Sequence, residues 1–173
     1  MERRKYIYIE SDAKFDDNNK RKYRYLLRRK WNVDLPQVTF VMLNPSKANE
    51  KDEDPTLRRC IGYADYWGYG SLEVVNLFAY IATNPRDLRQ ADDPVGSENN
   101  SYIQLAAKRA SRIILAWGAN EYLEKNRERE KEVISLIYGQ QPLYCLKLTK
   151  YGYPHHPLRL SKDIQPIIFP NYF

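Results

Sequence analysis

The chain has 173 residues, a length suited to a single domain whose core needs neither disulfides nor a structural metal. Its 43% hydrophobic and 29% charged residues exclude a disordered chain, and no apolar run approaches the roughly 20 residues of a membrane-spanning helix. The net charge of +6 resides in residues 1–31, which hold 11 Lys/Arg against 5 Asp/Glu, while the remainder holds 17 of each.

That basic segment interleaves cations with aromatics, as a surface meeting phosphates and bases does, or as charged residues guarding a sheet edge do. Its period-2 stretches, YIYIE (6–10) and KYRYLLRR (22–29), are expected to be strands joined through the polar turn DAKFDDNNKR. QVTFVML (37–43) is a continuous apolar run, the mark of a strand covered on both faces, and stops at Asn44-Pro45-Ser46. From Thr56, Leu57, Cys60, Ile61, Ala64 and Trp67 form one helical stripe. LEVVNLFA (72–79) is a second buried strand. Ser97 is expected to cap a helix reaching Ala110. RIILAW (112–117) is a third strand, 120–137 one charged amphipathic helix and PLYCLKL (142–148) a fourth strand, followed by a proline-rich loop and tail.

This alternation predicts an α/β fold of three layers, α/β/α, around a short, mostly parallel four-stranded sheet. The whole chain, 1–173, is expected to form one domain, with residues 1–31 as a basic β-hairpin extension. Ligands in such folds bind beyond the carboxyl ends of the strands. The residues to read are therefore 44–46, 76–83, 117–118 and 149–160.

No glycine-rich phosphate loop and no G-x-S-x-G elbow occurs. Cys60, Cys145, His155 and His156 do not make a zinc or iron–sulfur ligand set, so no metal and no organic cofactor is expected. Two thiols without an apolar leader point to an intracellular location, away from membranes. The strand ends carry Asn44, Ser46, Asn76, Thr83 and His156. Asn offers a donor and an acceptor but no base, which suits reading a base edge or orienting water. Asp52 or Asp54 is a candidate general base. Adjacent Arg58 and Arg59 cannot share one helix face, which leaves one of them available for an anion.

Four segments in order, VMLNPS (41–46), YGSLEVVNLFAYIATNP (69–85), RIILAWGA (112–119) and HHPLRLS (155–161), resemble the uracil-DNA glycosylase superfamily, in particular its mismatch-specific and single-strand-selective branches. Two departures are N-P-S where that family has N-P-G, and H-P-L without the following Ser. From Tyr23 to Leu160, including DPTLRRC, WGYG and LTKYGYPHHPL, the chain also resembles a bacterial and phage family catalogued as a domain of unknown function. The first resemblance implies hydrolysis of an N-glycosidic bond in single- or double-stranded DNA. Asn44 would position water and His156 would bind the base oxygen where charge develops. Asn76, Phe78 and Ser46 would recognise the base. Arg58, Arg59, Thr83, Lys150, Leu158 and Arg159 would contact DNA, with Leu158 or Leu160 as the stacking wedge. Two alternatives remain open on the residues alone: a nucleic-acid-binding module without catalysis, and an enzyme for a free nucleoside or nucleotide.

Overall fold

The computed structural model describes residues 6–18 and 20–170. It is an α/β fold, and among the described residues its sheet has seven strands where the sequence predicts four, in the order β1-β2-β4-β3-β5-β6-β7. Its centre is parallel: β3 (Gln37–Met42) lies between β4 (Ser71–Asn76) and β5 (Arg112–Leu115), and β6 (Leu143–Cys145) follows β5. The basic hairpin, β1 (Glu10–Phe15) and β2 (Arg24–Lys30), is not an appendage. It extends the same sheet, because β2 pairs antiparallel with β4. On the far edge β7 (Ile167–Ile168) adds antiparallel to β6, within what the sequence marks as tail. Proline-rich sequence is compatible with an edge strand, since an edge leaves some N–H groups without a ladder partner.

Helix α1 (Pro55–Tyr66) covers one face, packing Leu57, Cys60, Ile61 and Ala64 on Phe40, Met42, Leu72, Val74 and Ile114. On the other face lie α2 (Asn99–Arg109), α3 (Glu121–Lys125) and α4 (Arg127–Ile137), over Val41, Val75, Ile113 and Leu115. The alternation 40/42 against 41, and 113/115 against 114, is the period of two a strand imposes on its side chains. Both faces are covered, which is why these strands read as unbroken apolar runs.

Three boundaries differ from the sequence expectation. Residues 6–9 precede the ladder: Tyr6 and Tyr8 turn inward to Asp65 and Glu53, while Ile7 and Ile9 face solvent. The strand is instead the polar ESDAKF, because an edge strand needs no apolar face. The 120–137 helix breaks at Asn126, which leaves helical geometry (φ −128°) and turns its side-chain amide back to the Tyr122 carbonyl. Ser97 is not the cap of α2; Glu98 holds that position without a side-chain cap bond.

Candidate functional site

The chain runs from central β3 outward to β4 on one side, then across to β5 on the other. A crevice is expected where winding reverses, at the carboxyl ends of the strands. A cavity of about 600 Å³ lies there, between the ends of β3, β4 and β5, the start of α1 and the 155–159 loop.

Two residues beyond β3 lies Asn44, whose side-chain N–H groups have as acceptors the Ala82 carbonyl at 2.7 Å and the Pro45 carbonyl at 3.0 Å. The amide is thereby locked, and its free end is the oxygen, an acceptor able to hold a water by its proton. Ser46 donates to Asp54 Oδ2 at 2.9 Å, and Asp54 Oδ1 caps α1 by accepting from Leu57 N at 2.7 Å. Asp54 is the one carboxylate among the described residues lining the cavity.

β4 ends in Asn76. Only 1% exposed, it lines the cavity, and neither its amide nitrogen nor its amide oxygen has a hydrogen-bond partner. Buried polar groups are nearly always paired, so this amide calls for a partner from outside the chain. Beyond β5, Gly118 adopts φ +73° and its N–H donates to the Pro154 carbonyl at 2.8 Å. A Cβ there would lie 3.3 Å from the His156 Cβ, so the glycine lets the histidine loop close against the strand end.

His156 Nδ1 accepts a hydrogen bond from Leu158 N at 3.2 Å. A ring nitrogen that accepts carries no proton, so the neutral ring holds its hydrogen on Nε2. Burial and the neighbouring His155 hold His156 below the usual imidazole range, against the opposing pull of Asp54. A neutral imidazole with Nε2–H is a hydrogen-bond donor at the cavity wall. In the same loop Arg159 adopts φ +67°, the left-handed region that side chains rarely enter, and lines the cavity with Leu158.

The cavity thus gathers Asn44, Ser46, Asn76, Thr83, His156, Leu158 and Arg159. Other residues singled out from the sequence lie elsewhere. Phe78 is buried on the opposite face of the sheet, edge-on to Tyr122. Lys150 lies over the Tyr151 ring, beside a second cleft. Arg59 donates to the Leu160 carbonyl and stacks over Tyr63, which occupies both Arg59 and the Leu160 backbone in holding the loop. Arg58 is exposed at the start of α1, its guanidinium bonded to the Glu53 carbonyl. Asp52 is exposed and engaged with Asn49, outside the cavity.

Sequence reasoning missed Arg24. It is 4% exposed, lines the cavity and bonds the Ala48 carbonyl at 2.6 Å, while its Nε has no partner. Burial pulls its pKa down to about 10, against the opposing effect of Asp54. A β-bulge aims it there. Lys14 pairs with Leu26 and Phe15 with Arg24, leaving Tyr25 as an extra residue. Tyr25 and Leu26 both turn toward α2, so Arg24 joins Leu27 on the α1 face. Alternation read off YRYLLRR cannot show this, since the bulge breaks it.

The family DUF1643, described as a protein of unknown function, matches residues 24–158, more than three quarters of the chain. Neither the curated proteins nor the solved structures contain a significant match.

Proposed function

We propose that this chain, which belongs to the DUF1643 family, is a monofunctional DNA glycosylase that excises a flipped, modified or mismatched pyrimidine. The observation carrying this reading is Asn76, a fully buried amide unpaired at both ends in the wall of a cavity with room for a flipped nucleotide. A pyrimidine edge presents adjacent donors and acceptors, the complement of one amide.

The other groups fit the bond being broken. As the N-glycosidic bond lengthens, the electron pair passes to the base and positive charge grows on the sugar. The Nε2–H of His156 donates to the base oxygen that becomes negative, an oxyanion-type contact. Asp54, held by Ser46 and the α1 N-terminus, supplies the opposing charge for the oxocarbenium-like sugar. The Asn44 oxygen orients water toward the anomeric carbon, where geometry substitutes for basicity. Water contributes the oxygen of the new C–O bond, and its proton leaves with the base or to solvent. Leu158 is placed to fill the vacated stack, with Arg159 and Arg58 for phosphates. The order of the N-P-S, T-N-P and H-H-P segments resembles that of the uracil-DNA glycosylase superfamily, apart from the two departures noted above, and supports the same assignment.

The test is mass-spectrometric detection of free base from single-stranded and duplex DNA carrying uracil, hydroxymethyluracil, hydroxymethylcytosine or glucosylated cytosine. Release by the wild type that drops about 10²-fold or more in Asn44→Ala supports the reading. Release from none of them removes it.

A further inference from the structure

We infer that Arg24 and Asn76 make the floor of the cavity a subsite for a pyrimidine carrying a ring-borne carboxylate, in preference to the neutral base. The inference deepens the proposed function and rests on the cavity being a base pocket.

Two buried arginines on β2 allow a comparison. Arg29 is the more fully engaged: it donates to the Arg28 and Asn49 carbonyls and sits over the Tyr8 ring, and its Nε, without a hydrogen-bond partner like that of Arg24, has Glu53 3.8 Å away. Among the described residues the Arg24 guanidinium makes one hydrogen bond, to the Ala48 carbonyl, and no carboxylate lies within ion-pairing distance of it. Clamping the 44–54 loop accounts for Arg29 and leaves Arg24 short of partners. A bulge then turns this under-used cation into the cavity rather than toward α2.

The surroundings select the anion. Leu27, Met42, Leu57, Cys60 and Val74 line the cavity around Arg24 and Asn76, surfaces that suit a flat ring. The Cys60 thiol is pushed far up by burial, so it contributes an apolar wall and no charge. A phosphate needs several converging donors, which this floor lacks. A carboxylate needs the planar fork of one guanidinium plus a neighbouring N–H, which Arg24 and the Asn76 amide supply. Among the described residues Asp54 is the carboxylate that acts on Arg24, and its oxygens already accept from Ser46 and Leu57 N.

The experiment is calorimetric titration of the full chain with uracil, uracil-5-carboxylate and uracil-5-carboxamide. The amide matches the acid in shape without its charge. The expected result is carboxylate binding at least about tenfold tighter than carboxamide, a preference lost in Arg24→Gln and partly kept in Arg24→Lys. Equal affinities in the wild type, no binding of any probe, or a preference that survives Arg24→Gln would each overturn it. Should Arg24→Gln not fold, the wild-type comparison of acid with amide decides alone. Base release from DNA with no carboxylate preference removes the subsite and leaves the proposed reaction. Carboxylate preference without base release does the reverse.

Discussion

Leaving a buried polar group unpaired costs about 1–3 kcal/mol, and Asn76 has two such atoms. A residue kept at that cost only to build the fold would be improved by an apolar isostere. Asn76→Leu is therefore expected to raise or hold the melting temperature while base release falls below a tenth of wild type, a pairing that thermal melts and release assays check together. His156 carries a second prediction. Its depressed pKa means that the folded protein favours the neutral ring, and protonation would put a hydrogen on the nitrogen that accepts from Leu158 N. Stability from this group is present above the unfolded pKa and lost as pH falls through the folded one. Activity should then show an acid limb below the ordinary imidazole range, and His156→Gln, which keeps a donor, should flatten it. At this scale the sequence was informative about polar residues at the ends of apolar strands, Asn44 and Asn76, and about His156 in the loop beyond the last of them. It was uninformative about Arg24 and Phe78, because which face a side chain takes there depends on a bulge and on where β4 stops.

The elements determine how firmly those side chains are held. Asp54 serves as helix cap and as cavity carboxylate, and the two roles separate by substitution. Asn caps nearly as well as Asp, so Asp54→Asn should leave stability close to wild type while slowing base release. Asp54→Ala should also lose about 1 kcal/mol of stability. Gly118→Ala places a Cβ at φ +73° and 3.3 Å from His156, so it is expected to slow the reaction at least tenfold, measured at saturating substrate, for a modest fall in melting temperature. Long periodic elements such as α1 and β3 were readable to within a residue or two, since packing on one face repeats at a fixed interval. The edge strands β1 and β7 were not, because an edge needs neither length nor an apolar face. Nor was the break at Asn126, where one side chain competes with the helix for its backbone.

For the whole molecule, the concentration of positive charge in residues 1–31 suggests an electrostatic arm, and among the described residues the fold engages six of those eleven cations otherwise. Arg28 pairs with Glu10 and Glu73, Lys30 with Glu10, Arg21 with Glu50 and Lys14 with Asp12, while Arg24 and Arg29 are buried. DNA affinity should therefore fall only gently with salt, with a log–log slope of roughly −2 to −3 from the few exposed cations near the cavity, Arg58 and Arg159 among them. Fluorescence anisotropy over a salt series measures it, and a slope several times steeper would return the basic hairpin to the DNA interface. The pairing around Glu73, 3.2 Å from Arg28 and 3.0 Å from Arg109, ties β2 and α2 to the centre of the sheet. The most direct measurement of the central claim is a single-turnover time course counting free base and abasic sites on the same DNA. Equal amounts of both from the wild type, slowed about 10²–10³-fold in His156→Ala, is the expected result. Stable DNA binding without free base, unchanged in His156→Ala, would contradict it and make the chain a binding module.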